Sequence, residues 1–234
     1  MNGSVLVTRP AGAASRLARG IEALGLRVHA VPTIATEATP SHPPSLEEGA
    51  WVIVSSANGV RHSWERLRGS AGRVHWAAVG PATGAALSAR GVKSWTEPAD
   101  GRPESLVGSM GDLRGAEVLV VRGDLAGEGI AEDAEAAGAL VRVLIAYRTQ
   151  EGPEESRQAL EEALADPALR LIVLASGSAA RGLVRLSGRV PDVATMTIGP
   201  STSAVARDLG FKVVSEASDP SVGALLREVE AACV

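Results

Sequence analysis

Runs of consecutive apolar residues recur along the chain, separated by Ala-, Leu- and Arg-rich stretches with helical spacing. The runs fall at 5–8, 28–31, 51–55, 76–79, 117–121, 141–146, 171–175, 195–198 and 212–214. They are continuous rather than alternating, which suits strands buried on both faces, as in a parallel sheet covered by helices. The pattern predicts an α/β protein.

The pattern also repeats. Residues 5–36, VLVTRPAGAASRLARGIEALGLRVHAVPTIAT, and 118–149, VLVVRGDLAGEGIAEDAEAAGALVRVLIAYRT, share a strand, an Arg, a helix, a Gly and a second strand at equal spacing. Residues 51–61 (WVIVSSANGVR) resemble 171–181 (LIVLASGSAAR), and 77–94 (AAVGPATGAALSARGVKS) match 196–213 (MTIGPSTSAVARDLGFKV). The order of these pieces groups the complete units as 36–150 and as 1–35 plus 151–234. The chain then crosses twice between domains. One crossing lies near 32–38, beside Pro32 and Pro40; the other lies near 146–152, where Thr149-Gln150-Glu151-Gly152-Pro153 is polar and turn-rich. Five strand candidates per unit with intervening helices fit a flavodoxin-like doubly wound sheet, in which ligands sit beyond the carboxyl ends of the strands. A double crossing favours a ligand cleft between the two domains.

At 234 residues the chain is long enough for one or two domains, and 45% hydrophobic residues argue against disorder. No apolar run approaches the ~20 residues that span a bilayer, and the first residues lack a charged-then-apolar leader pattern, so a soluble cytoplasmic protein without a membrane partner is expected. A formal charge of −4, with no Lys/Arg run, speaks against nucleic-acid binding, and no long apolar patch calls for a dimer, so a monomer is expected. The single cysteine, Cys233, excludes internal disulfides and CxxC chemistry, and is a nucleophile only if the tail folds back. All but Lys93 and Lys212 of the 23 basic residues are Arg, a skew that genomic base composition explains as readily as selection for carboxylate-binding forks.

Small, hydroxylated or glycine-containing turns follow six of the predicted strands: Thr8-Arg9-Pro10, Ser55-Ser56-Ala57-Asn58, Gly80-Pro81-Ala82-Thr83, Arg122-Gly123-Asp124, Ala175-Ser176-Gly177-Ser178 and Gly199-Pro200-Ser201-Thr202. Each alone is ordinary helix-start chemistry: Gly permits close approach, Pro suits the first turn, and Ser or Thr caps it beside exposed N–H groups. Their recurrence at equivalent ends of both repeats points to a receptor for several anions. Dinucleotide, P-loop, zincin and Ser-hydrolase readings lack their motifs, and the four His (29, 42, 62, 75) show no metal-ligand spacing. His62 reads as surface or half-buried. Four Trp, one Tyr and one Phe are too few to flank a flavin, and Trp51, Trp64 and Trp76 read as core. Tyr147, the one tyrosine, follows an apolar strand at the second crossing, where a structural hydrogen bond and a functional role are both open.

In order along the chain, VLVTRP (5–10), VSSANGV (54–60), AVGPATGAAL (78–87), VLVVRGD (118–124), IAYRT (145–149) and TIGPSTSAV (197–205) resemble the uroporphyrinogen-III synthase family, over essentially the whole sequence. The resemblance implies two flavodoxin-like domains joined by a two-stranded connection. It implies cyclisation of the linear tetrapyrrole hydroxymethylbilane, with loss of water and inversion of ring D, to give uroporphyrinogen III. No metal or organic cofactor is implied, and a transient contact with hydroxymethylbilane synthase is. By the same resemblance Tyr147 is the tyrosine proposed to protonate the leaving hydroxyl. Thr83, Thr202, Ser176 and Ser178 match substrate-binding hydroxyls, with Gly177 where the family has proline. Gly80, Gly199, Ser55, Ser56, Arg9 and Arg122 complete the expected substrate contacts, the last four toward carboxylates. From the residues alone two other classes stay open: a non-catalytic two-domain ligand sensor, and an isomerase of sugar phosphates. The latter would usually show a His, Glu or Lys base in these turns, and none occurs.

Overall fold

A computed structural model describes residues 3–9, 11–219 and 222–233; Pro10 of the first strand-end turn lies outside them. By backbone contacts the chain divides into two compact units, Met1–Ala35 with Gln150–Val234, and Thr36–Thr149. The first begins with β1 (Ser4–Val7), α1 (Ala11–Ala23) and β2 (Arg27–Ala30). The chain then forms β3 (Ile34–Ala38), β4 (Trp51–Val54), α2 (Ala57–Leu67), β5 (His75–Ala78), α3 (Pro81–Ser88), β6 (Glu117–Gly123), α4 (Gly129–Ala136) and β7 (Leu140–Glu151). It returns with α5 (Arg157–Leu164), β8 (Leu169–Leu174), α6 (Gly177–Ser187), β9 (Ala194–Thr197), α7 (Pro200–Leu209), β10 (Val213–Glu216) and α8 (Val222–Cys233).

Among the described residues there are two five-stranded sheets, ordered β10-β9-β8-β1-β2 and β3-β7-β6-β4-β5. The first sheet is parallel throughout, as is the β7-β6-β4-β5 part of the second. Read from β2, the first has the 2-1-3-4-5 order of flavodoxin-like folds, as expected.

The sequence repeat is also a repeat of strand register. Val5 pairs with Val28 and Val118 with Val141; Leu171 pairs with Val5 and Trp51 with Val118. Met196 pairs with Ser215, and its counterpart Ala77 makes an isolated bridge to Thr96, so the partner of β10 is reduced there to one residue. The nine apolar runs all correspond to strands, and a tenth, β3, falls inside the first crossing, where no strand was expected. Aligned on the repeat, β7 matches the whole of 27–38. In that first copy the strand breaks at Val31-Pro32-Thr33, because Pro has no N–H to continue a ladder. One piece, β2, joins the first sheet, and the other, β3, joins the second. Nor is the second crossing a turn: β7 stays extended to Glu151, past the Thr149–Gln150 boundary of the units.

Continuous apolar strands are required because each sheet is covered on both faces. Val5 and Val7 pack with Leu17 and Ile21 of α1 and Leu225 and Val229 of α8, while Leu6 packs with Leu160 of α5 and Leu183 of α6. In the other unit Val52 and Val54 face Val60, Leu67 and Leu87, whereas Ile53 faces Leu106, Leu113 and Ala134. Trp76 is buried and Trp51 and Trp64 are half-buried against these cores, as expected. Among the described residues no helix is long and apolar enough to cross a membrane.

At the amino ends of β1, β2 and β8 one carboxylate ties three strands. Asp166 accepts from Ser4 Oγ at 2.6 Å, from the Ala168 N–H at 3.0 Å and from Arg27 Nη2 at 3.0 and 3.1 Å, with His29 Nε2 at 2.9 Å. These hydrogen bonds, that from Ser4 foremost, hold the Asp166 carboxyl well below the usual carboxylate range. A depressed folded-state value means that its contribution is complete above the ordinary Asp value of about 4 and is lost as the pH falls toward the folded one. Asp166→Asn is therefore expected to lower Tm at pH 7, with the gap from wild type narrowing below about pH 4. Circular-dichroism melts across pH check this; a gap that does not change with pH would exclude the charge as the cause.

Candidate functional site

Parallel pairing puts the carboxyl ends of the strands in each unit at one edge of its sheet, and the sequence-predicted turns lie there. In the 36–149 unit Ser56 caps α2. It sits in extended backbone and its Oγ accepts from the Gly59 N–H at 3.0 Å. The same Oγ lies 3.1 Å from the Tyr147 hydroxyl. Ser55, half-buried beside it, is held by its N–H to Val121 O at 3.0 Å.

Tyr147 is aimed there by an irregularity in β7. Arg122 pairs with Ile145 but Gly123 pairs with Tyr147, so Ala146 is the extra residue of a bulge. Alternation would otherwise send Ala146 and Tyr147 to opposite faces; with the bulge both join the same core cluster. Gly123 makes room for the ring, since a Cβ there would lie 2.5 Å from Tyr147 Cζ. The other neighbour of the ring is His62 of α2, with centroids 5.4 Å apart and planes inclined by 31°. His62 Nε2 is 2.9 Å from Thr36 Oγ1 and 3.1 Å from Arg61 Nη2. Burial, and then Arg61 and Arg66, lower the His62 pKa.

The two Gly-Pro turns start α3 and α7 in parallel ways. Thr83 and Thr202 are equally buried, at 4% exposure, and their N–H groups donate to Gly80 O at 2.9 Å and Gly199 O at 3.1 Å. The glycines differ. Gly199 has φ +157°, which favours glycine, whereas Gly80 at −174° has a backbone that any residue adopts. At neither would a Cβ meet another atom within 4 Å. In the discontinuous unit Ser176 caps α6, accepting from the Ala179 N–H at 3.1 Å, with Ser178 Oγ 3.0 Å away. The smallest residue is needed between them, because a Cβ on Gly177 would lie 2.9 Å from Val205 of α7.

Arg9 and Arg122 are repeat counterparts with different surroundings. Arg9 is half-buried after β1, burial lowers its pKa, and among the described residues it has no ion-pair partner. Arg122 is committed to its own loop, with Nη1 donating to Ala126 O at 2.6 Å and Nη2 to Glu128 at 2.8 Å. Its Nε is buried without a partner. Arg122, expected to contact a carboxylate, thus already has partners within its own loop on both terminal nitrogens. Burial raises the Cys233 pKa at the end of α8, which makes that thiol a poor nucleophile. Among the described residues no group of three His, Cys, Asp or Glu could hold a metal ion.

Two strand-end clusters of hydroxyls and helix N-termini, one with a phenol, on parallel sheets define a class: two-unit α/β proteins whose strand-end edges carry groups of the kind that suit anions. The model of one such family, described as uroporphyrinogen-III synthase HemD, matches residues 15–227, and the chain belongs to that family. The family is one of enzymes, lyases of porphyrin biosynthesis. A uroporphyrinogen-III synthase from Synechococcus elongatus is 29% identical over 254 residues, covering 97% of this chain and 94% of the relative. A uroporphyrinogen-III synthetase structure from Helicobacter pylori superposes with TM-score 0.71 at 14% identity, covering 98% of this chain and 99% of that one. A mutant uroporphyrinogen III synthase from Thermus thermophilus gives 0.60 at 19%, covering 98% of each chain. The two structures bear on the fold and agree with its two α/β halves.

The sequence reading missed His62, Gly123 and Thr36. The repeat held a signal for two of the positions around Tyr147, since alignment places Ile34 opposite Tyr147 and Gly182 opposite His62. The repeat also supplies a matched test. Ser56→Ala and Ser176→Ala each remove a helix cap and are expected to cost about 1 kcal/mol of stability. Only Ser56→Ala removes a partner of the Tyr147 hydroxyl, so denaturant melts should change alike and turnover unequally.

Proposed function

We propose that this chain closes hydroxymethylbilane to uroporphyrinogen III with Tyr147 as the acid that protonates the leaving hydroxyl. The hydroxyl leaves as water, and the pyrrole N–H proton released as the azafulvene forms restores the phenol. The substituted carbon of the last ring attacks the azafulvene's exocyclic carbon to give a spiro intermediate. The older bond at that substituted carbon then breaks and re-forms at the ring's unsubstituted α-carbon with loss of its proton, leaving the ring inverted. One observation carries the acid assignment: the chain's single phenol is turned by a bulge onto the Ser56 cap, 3.1 Å from its hydroxyl. A positioned general acid contributes about 10²–10⁴-fold in rate. Family membership supports the reaction, and the absence of a nucleophile requirement in azafulvene chemistry suits a site of hydroxyls and N–H groups.

The substrate's eight carboxylates are received, on this reading, by the turns at Ser55, Ser56, Gly80 and Thr83 and at Ser176, Ser178, Gly199 and Thr202, with Arg9, which has no ion-pair partner among the described residues, as the guanidinium. The type I isomer forms without assistance, so favouring attack at the substituted carbon is a matter of shape and orientation. On the same reading the enzyme is a cytoplasmic monomer that takes its substrate from hydroxymethylbilane synthase in a transient encounter.

Incubation with enzymatically generated hydroxymethylbilane, followed by separation of the oxidised uroporphyrin isomers, tests the reaction; type I alone in the presence of protein would overturn it and leave a ligand sensor. Tyr147→Phe is expected to lower kcat about 10²-fold with product affinity changed less than about 2-fold. Equal losses in both would remove the acid role. Gly80→Asn keeps a good capping residue, so Tm is expected to hold, while KM rises several-fold because the side chain enters the space before α3. An unchanged KM would place the substrate elsewhere.

A further inference from the structure

The internal repeat separates what this architecture needs from what has been added to it. Strand register, the Ser56 and Ser176 caps and the Gly-Pro turns occur in both copies. The Tyr147–His62 pair occurs in one: its counterparts are Ile34 and Gly182, and a Cβ on Gly182 would lie 1.9 Å from Thr33 O. The discontinuous unit is built without either ring, so the fold does not require them.

We propose that His62 is a positioning residue for Tyr147, packing its ring against the phenol while Gly123 leaves room for it and Ser56 meets its hydroxyl. The contacts suit that task. Arg61 Nη2 donates to Thr36 Oγ1 at 2.6 Å and to His62 Nε2 at 3.1 Å, and a guanidinium has no acceptor, so Nε2 is unprotonated and accepts. Thr36 Oγ1, 2.9 Å away, fixes the imidazole plane from β3. The ring is thereby anchored on one strand and one helix and presents a neutral face to the phenol, in keeping with the downward direction of its pKa. A ring held at three points loses less orientational freedom when the substrate arrives, and small misplacements of a reacting group cost large factors in rate.

The inference rests on Tyr147 acting as the acid, and the test separates the two. The chain has one tyrosine, so ring-labelled tyrosine gives a single set of NMR signals that belong to Tyr147. In His62→Ala those signals are expected to move as the neighbouring ring current is removed, and kcat to fall about 10-fold with KM within about 2-fold. His62→Phe keeps a stacked ring without the Nε2 contacts, and is expected to restore most of kcat and a displaced ring signal. Tyr signals unmoved in His62→Ala would overturn the positioning role whatever the activity. Moved signals with wild-type kcat would overturn it too, provided Tyr147→Phe is slow; if Tyr147→Phe is as fast as wild type, it is the acid assignment that fails. Should His62→Ala not fold, His62→Phe against Gly123→Ala decides, since a Cβ at position 123 meets the phenol itself and the latter is expected to lose kcat while the former keeps it.

Discussion

In each unit a strand apolar on both faces, β1 or β6, runs parallel between two neighbours, and residues on its two faces enter different cores. Parallel pairing with both faces buried demands crossover helices on each side, and it brings successive strand ends and helix starts to one edge of the sheet. The position of every turn at the candidate site follows from that pairing. In one sheet the neighbour β8 arrives from a segment more than 160 residues away, so the edge forms only when both ends of the chain have come together.

An acidic chain whose helix starts offer anion-binding groups separates local from net charge. The helix starts at Ser56, Gly80, Ser176 and Gly199 expose backbone N–H groups whose partial charges never enter a formal count. The arginines show the same economy. Arg122 is spent on holding the loop that replaces the first turn of its helix, while its counterpart Arg9 stays without a carboxylate partner among the described residues. A partly buried cation without an internal anion is one whose desolvation a bound carboxylate can offset.

The internal repeat gives two equivalent edges that differ in their side chains. Both have the caps and the Gly-Pro starts. Only one carries the phenol, and there the strand has a bulge, position 123 is a glycine and the ring has an imidazole neighbour. In the other copy the corresponding strand is broken at Pro32 and the space beside Gly182 is filled by backbone, so no comparable side chain fits.

Much of this was legible in the order of residues. Continuous apolar runs required a covered parallel sheet, and equal spacings within the two copies already contained the register that pairs Val5 with Val28 and Val118 with Val141. The helix-start turns could be read too, because Ser, Thr, Gly and Pro act there through their own backbone geometry. What the order of residues did not reveal depends on contacts across long separations. The bulge at Ala146, which decides where Tyr147 points, depends on how β7 settles against β6. His62 is half-buried, one of the two readings its sequence allowed, but its place beside Tyr147 was hidden because its partners, Thr36 and Tyr147, lie 26 and 85 positions away and meet it only once β3, α2 and β7 are packed together. Local chemistry determined which atoms could act, and tertiary packing decided which of them face one another.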